Sequence, residues 1–293
     1  MASVRQTKSG TWQVRYLDPY RRPRGRNFKR KTDAVRFARS IDVDVERGHW
    51  TNPMLGKTRF GHWADEWLRG ATHLKPKTRV GYENTLKNHV LPVFADVPVE
   101  SIDRAFVRRY IVTLTEKGAG PSTIHSATQI VRSVLDVALD DGALKENPAR
   151  NLRLQRSASA EKLFLTPSQV EDLASAIAPP FGTLIRFAAY TGLRAGEIGA
   201  LRMRRVDLTR GIVEVAESLA DIRGKLVFGP TKTYARRHVP MPGFLRDEME
   251  EFLRGRRSDL DALVFTNMSG GPLRHNWFSK ARYKPAVLAS GLP

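Results

Sequence analysis

Two short breaks divide this sequence into three stretches with different hydrophobic periods, so no single layer of secondary structure accommodates the whole chain. Residues 51–57, with Asn52-Pro53 and Gly56, form the first break, and the small polar run Arg156-Ser157-Ala158-Ser159-Ala160 forms the second. The 293 residues suffice for two or three cores, since domains usually run to about 100–200 residues.

Before the first break the period is two. Trp12, Val14 and Tyr16 alternate with Gln13 and Arg15, Asp18-Pro19 supplies a turn, and Arg26-Asn27-Phe28-Lys29 resumes an extended pattern. Thr32 is the expected N-cap of a helix that ends near Gly48. Residues 1–55 are therefore expected to form a three-stranded sheet with one helix. Residues 56–155 read as all-helical. Phe60, Trp63, Ala64, Trp67 and Leu68 share one face, Pro76 opens a helix carrying Val80, Leu86 and Val90, and a third helix carries Phe106, Val107, Tyr110, Ile111 and Leu114. Ser122 is the expected N-cap of a helix over 124–139, and Asn147-Pro148 ends the array.

Residues 156–293 mix both periods. Thr166-Pro167-Ser168-Gln169 is a capping-box start. Residues 181–190 read as a buried helix ending at Thr191-Gly192, and 195–201 as its continuation. A small antiparallel sheet is expected over 211–239, a helix over 242–255, a short buried strand at 263–265 and a helix over 277–289. The fold class is α+β and mostly helical: a small sheet-plus-helix domain, an all-α domain and a mixed α/β domain.

Charge narrows the partners. Lys and Arg number 49 against 30 Asp and Glu, a net charge of +19. A field of that sign attracts polyanions. Residues 1–50 hold 13 basic and 5 acidic side chains, the highest density in the chain. Seven of the eleven residues 21–31 are basic: Arg21, Arg22, Arg24, Arg26, Lys29, Arg30 and Lys31. That run is either a solvated hairpin or a DNA contact. Lys75, Lys77 and Arg79, around the start of a helix, are open to the same two readings. Zero cysteines exclude disulfides, thiolate metal sites and cysteine nucleophiles. No apolar run approaches the roughly 18 residues of a membrane span. These absences lead to the expectation of a soluble intracellular protein.

The informative stretch is Tyr190-Thr191-Gly192-Leu193-Arg194-Ala195-Gly196-Glu197-Ile198-Gly199-Ala200-Leu201. An arginine pinned in a helix–glycine–helix turn presents a planar array of donors suited to phosphate oxygens. Glu197 lies three residues on, and such a pair by itself is more often a structural ion pair. The pattern Thr-Gly-Leu-Arg-x-Gly-Glu-Ile-x-x-Leu resembles the first signature box of the tyrosine recombinase, or phage integrase, family. Pro230-Thr231-Lys232-Thr233, followed by Arg236-Arg237-His238-Val239-Pro240, is similar to that family's lysine-bearing hairpin.

The resemblance spans the chain. It implies an arm-type DNA-binding domain over 1–55, a core-type DNA-binding domain over 56–155 and a catalytic domain from 156. It also implies site-specific recombination through a 3′-phosphotyrosine, with neither metal nor cofactor. Arg194 would stabilise the scissile phosphate, Glu197 would orient Arg194 from behind, and Lys232 would protonate the leaving 5′-oxygen. The implied partners are duplex DNA with arm-type and core-type attachment sites, further copies in a tetramer on DNA, and accessory DNA-bending and directionality proteins.

The pattern then breaks. Leu273-Arg274-His275 mimics the family's second box, but Gly271 stands where that box has histidine, and Tyr283 follows too closely to be the nucleophile. These 293 residues are thus expected to stop short of the His-x-x-Arg box and the tyrosine, and to bind DNA without cleaving it. The alternative is a non-catalytic DNA-binding protein, an integrase remnant or a regulator. A basic membrane-surface or RNA-binding protein matches the charge alone.

Overall fold

The computed structural model describes all residues except 1, 20, 47–49, 156–162, 233, 257–258 and 293. The expected break at 156–160, the expected helix end at Gly48, and Thr233 of the lysine hairpin therefore lie outside the described residues. The chain divides into two compact units, Met1–Ser159 and Ala160–Pro293.

The first unit begins with strands β1 (Ser3–Gln6), β2 (Trp12–Leu17) and β3 (Pro23–Phe28), antiparallel in that order, and helix α1 (Lys31–Glu46). Alternation decides which face is covered. Val14 and Tyr16 of β2 are buried with Ala34, Ala38 and Ile41 of α1. Phe37 wedges between Tyr16 and Phe28, with ring centroids 6.2 and 5.1 Å away. The helix starts one residue before Thr32, which sits within its first turn. Strand β1 carries a single apolar residue, Val4, too few to show alternation; its pairing with β2 creates it.

Helices α2 (Pro53–Gly56), α3 (Phe60–Gly70), α4 (Pro76–Thr85), α5 (Leu91–Phe94), α6 (Arg104–Glu116) and α7 (Pro121–Asp140) follow. They enclose a separate core in which Phe94 meets Phe60, Phe106 and Tyr110 at 5.0, 5.2 and 4.8 Å. Burial pushes the Tyr110 phenol up, and its hydroxyl donates to the His89 carbonyl at 3.1 Å. A π-helical turn, Leu86–Val90, joins α4 to α5. Pro92, just beyond it, has no N–H for a regular helical bond, and the widened turn absorbs that gap. Helix α7 starts at Pro121 with Gly120 as its cap, earlier than a Ser122 cap allows, because proline's fixed φ suits the first helical position.

The apolar cluster of residues 2–50 is distinct from that of residues 55–152. They are nonetheless joined by the Asn52 N–H donating to Gly142 O at 2.8 Å and by the Lys145–Asp44 pair at 2.7 Å.

The second unit contains α8 (Pro167–Ala176), α9 (Gly182–Thr191), α10 (Ala195–Gly199), β4 (Val206–Asp207), β5 (Ile212–Val215), β6 (Glu217–Ile222), β7 (Lys225–Pro230), β8 (Arg237–Pro240), α11 (Gly243–Phe252), α12 (His275–Phe278) and α13 (Lys284–Ala289). The Thr166–Gln169 capping box forms as the sequence indicates. The expected single sheet over 211–239 is instead two. Strands β4, β5 and β8 form one, and the β6–β7 hairpin forms the other, because the chain leaves the first at Ala216 and rejoins it at Arg237. Residues 263–265 are not a strand. One bridge, Leu263 to Arg202, and the Val264 N–H on Leu201 O at 2.8 Å seat this apolar run against residues 201–203, with Val264 and Phe265 buried. The last helix is a composite, with a π-helical turn, Ser279–Tyr283, between α12 and α13. No helix among the described residues is long and apolar enough to cross a membrane.

Asn147 ends the helical array through its side chain. Its amide donates to Arg132 O at 2.8 Å and Asp136 Oδ1 at 2.9 Å, and its carbonyl oxygen accepts from the Ala149 N–H at 2.9 Å. The residue is buried, so Asn147→Ala strands groups that water does not reach. We expect a loss of about 2–3 kcal/mol, read as a lower urea midpoint at unchanged slope.

Candidate functional site

The turn from α9 to α10 is set by local chemistry. Helix α9 ends at Gly192, whose φ of +63° is the left-handed conformation that glycine adopts without strain. The Thr191 hydroxyl donates back to Phe187 O, and Leu193 is buried. Arg194 then sits extended at the N-cap of α10. Gly196 lets α10 lie directly on β6, since a Cβ there would come 2.6 Å from Ser218 Oγ and 2.9 Å from Leu219 O.

Glu197 is the centre of the arrangement. Its side chain is 1% exposed, and both oxygens are fully used. Oε2 accepts from the Arg194 backbone N–H at 2.9 Å and from Arg237 Nη2 at 2.7 Å. Oε1 accepts from Arg194 Nη1 at 3.1 Å and from Arg237 Nη1 at 3.0 Å. One carboxylate thus holds two guanidinium groups and a backbone amide. The Arg237 fork is the main reason its pKa falls to about 2; burial opposes the fall, and the two Arg194 contacts add to it. The Arg194 side chain is 59% exposed. Its Nε and Nη2 have no partner among the described residues, so two donors face outward from a fixed base.

Lys232 is exposed on the stretch 231–236 that carries the chain from β7 to β8. The stretch is braced from within. Thr231 is buried, its hydroxyl donates to Ala235 O at 3.0 Å, and the Tyr234 N–H donates to Thr231 O at 3.1 Å. It is also braced at its end, where Arg237 engages Glu197 and Arg236 approaches Glu214 at 3.8 Å. Glu214 in turn holds Arg205, which keeps its carboxyl below the usual range.

The residues that mimic a second box are engaged elsewhere. Arg274 donates to Asp221 Oδ2 at 2.6 Å and Gly224 O at 2.8 Å, tying α12 to the β6–β7 hairpin. Tyr283 lies in the π-helical turn with its ring 6.5 Å from Phe278. Among the described residues no group of histidine and carboxylate side chains suits a metal ion.

The basic residues of the first unit separate into two faces. Arg24 and Arg26 pair across strands with Tyr16 and Val14, so they share the helix-covered side. Arg24 binds the buried Asp18 at 3.1 Å and lies 6.0 Å from the Trp50 ring, and Arg26 lies 5.3 and 5.2 Å from the Phe28 and Phe37 rings. Arg21 and Arg22 are exposed in the β2–β3 turn, where Asp18 Oδ1 accepts the Arg22 N–H. Lys29 and Arg30 are exposed before α1, and Lys31 sets its ammonium 5.2 Å from the Trp12 ring. The open face of the sheet instead carries Arg5 and Arg15, both donating to Gln13 Oε1. The alternation that places Val14 inside already places Arg15 outside; the density of charge at 21–31 obscures it. In α4, Lys75 is half-buried at the N-cap, Lys77 is exposed, and Arg79 pairs with Glu83 at 3.2 Å.

Two family models match this chain: the phage integrase central domain over residues 60–155 and the phage integrase family over residues 163–292. The chain belongs to the phage integrase family of tyrosine recombinases. It is 28% identical to a putative prophage phiRv2 integrase of Mycobacterium tuberculosis over 93% of this chain and 74% of that one. It is 24% identical to an integrase of Mycobacterium phage D29, over 96% and 79%. The fold matches a Tn1549 transposon integrase solved with a circular intermediate DNA, at TM-score 0.70 and 19% identity, over 79% of this chain and 78% of that one. It also matches a lambda integrase tetramer bound to a Holliday junction, at TM-score 0.61 and 17% identity, over 99% and 81%. The integrase family match encloses Arg194, Glu197, Lys232 and Arg237, and the central-domain match encloses α3 to α7.

Because its folded pKa lies below the ordinary 4.5, Glu197 contributes stability that is complete above pH 4.5 and lost as pH falls toward 2. The full contribution is on the order of 3 kcal/mol. The stability difference between the wild type and Glu197→Gln is expected to shrink steadily across that window in acid titrations of urea unfolding.

Proposed function

We propose that this chain recognises duplex DNA in two places and presents a scissile phosphodiester to Arg194, as part of site-specific recombination of the integration and excision kind. The observation that carries this reading is Arg194 itself, an exposed guanidinium with outward donors, fixed by a buried carboxylate inside the family's first box. A preorganised donor array at the point where phosphoryl charge develops is what such a reaction requires. In this reading Arg194 binds the non-bridging oxygens, Glu197 orients it, and Lys232 gives a proton to the leaving 5′-oxygen.

Residues 1–55 are the arm-binding domain. Arg5, Gln13 and Arg15 line the open sheet face, with Arg21, Arg22, Lys29 and Arg30 at its margin. Residues 56–155 bind the core site. The cations Lys75, Lys77 and Arg79 stand at the start of α4, where the helix dipole disfavours positive charge, and a DNA backbone offsets that cost. Residues 156–293 are the catalytic domain. Four chains assembling on DNA, as in the lambda integrase tetramer on a Holliday junction, belong to the same reading, together with accessory bending and directionality proteins and a bacterial cytoplasmic setting at the nucleoid.

Arg274 and Tyr283 stand outside this reading, being held by the hairpin and by Phe278. A duplex selected from a random library tests the reading: a salt-sensitive complex is expected, and no complex would overturn it. Arg15→Ala should weaken binding and lower the salt slope by about 1 at unchanged stability. Arg26→Ala should cost about 0.5–1 kcal/mol of stability.

A further inference from the structure

We infer that Arg237 is a positioning residue for phosphate binding, and that it acts by occupying Glu197 so that Arg194 is left for the ligand. The inference rests on the reading of Arg194 as a phosphate ligand. It starts from the distribution of four hydrogen bonds on one buried carboxylate. Arg237 gives Glu197 two charged bonds, at 2.7 and 3.0 Å, one to each oxygen. Arg194 gives only one from its guanidinium, at 3.1 Å, and the other from its backbone.

That asymmetry has a chemical consequence. A buried carboxylate seeks as many donors as it can reach, and a guanidinium binds it best through two parallel N–H groups. With Arg237 in place both oxygens are already served, and Arg194 is held by a single nitrogen. Without Arg237, the same carboxylate would draw the Arg194 fork inward into a two-nitrogen contact. The donors that now face outward would turn away, and the local charge of the two arginines and Glu197 would fall from +1 to zero. Arg237 therefore protects the charge and the direction of Arg194 without touching the phosphate. The same contact anchors the chain directly after the stretch carrying Lys232, since Arg237 begins β8. Its neighbour Arg236, 72% exposed and 3.8 Å from Glu214, has no such hold on the site.

The test uses inorganic pyrophosphate and the full chain, following the Arg194 Nε–H resonance by NMR, assigned by its disappearance in Arg194→Lys. Pyrophosphate should shift this resonance in the wild type. Arg237→Gln should weaken the apparent affinity about tenfold, equivalent to roughly 1.4 kcal/mol, within the range of a hydrogen bond to a charged group. The decisive variant is Arg237→Gln with Glu197→Gln. In the Glu197→Gln background, itself weakened because Glu197 orients Arg194, Arg237→Gln should cause no further loss, a coupling expected only if Arg237 acts through Glu197's charge. A double variant weaker than Glu197→Gln by about the same tenfold, or an Arg237→Gln variant that binds normally, would overturn the proposal. A wild-type resonance that pyrophosphate leaves unmoved would instead overturn the reading of Arg194 on which the proposal rests. Should glutamine at 237 unfold the protein, Arg237→Lys, which keeps the charge but has no fork to span both oxygens, should also weaken binding, and wild-type affinity there would overturn the proposal.

Discussion

The carboxy-terminal unit is organised around a carboxylate removed from water. Burying an ionised group is costly unless charged and hydrogen-bonding partners replace its hydration, and Glu197 meets that condition with four donors from two sequence-distant segments. Its partners are thereby constrained. The turn after α9 must place the Arg194 amide over Oε2, and β8 must begin where Arg237 can span both oxygens. Gly196 and β6 follow, since α10 reaches this position only by lying against Ser218 and Leu219 without a side chain between them. A displacement of any one element leaves a buried charge short of donors, so the elements are fixed together.

The amino-terminal module obeys a different constraint. One helix covers one face of a three-stranded sheet, so every second residue of a strand is committed to packing and its neighbours to solvent. Arg24 and Arg26 fall on the packed side and cover aromatic rings with their guanidinium planes. Arg5 and Arg15 fall on the open side, gathered by Gln13. High charge density along the chain is therefore not the same as an interface in space. The pleat divides the strand arginines between packing, for Arg24 and Arg26, and the open face, for Arg5 and Arg15.

Much of this was legible from residue order where the cause is local. The Thr166 capping box, the Phe60 to Leu68 apolar face and the glycine at the end of α9 each depend on a few adjacent residues. What was not legible depends on partners far away. Nothing near residue 216 announces that one sheet becomes two, because the division is decided by β8 returning to β5 rather than continuing along β7. The Leu263 to Phe265 run has the composition of a strand and makes only one bridge, since residues 201–203 offer it no longer an edge. Of the site, Arg194, Glu197 and Lys232 stand in recognisable motifs. Arg237 stands in one too, but its importance lies in a contact across forty residues that no motif spacing displays.

The arrangement also explains why an exposed arginine suits this site. A flexible guanidinium at the surface must lose rotamer freedom on binding a phosphate, which weakens binding. Arg194 is fixed at its backbone amide and at one terminal nitrogen, so that cost is met on folding, while more than half of its side chain remains open to solvent. A fully buried arginine would be rigid but unreachable, and an unbraced one reachable but imprecise. Holding one nitrogen and presenting the others satisfies both demands. It works because the remaining acceptor position on each Glu197 oxygen is filled by Arg237.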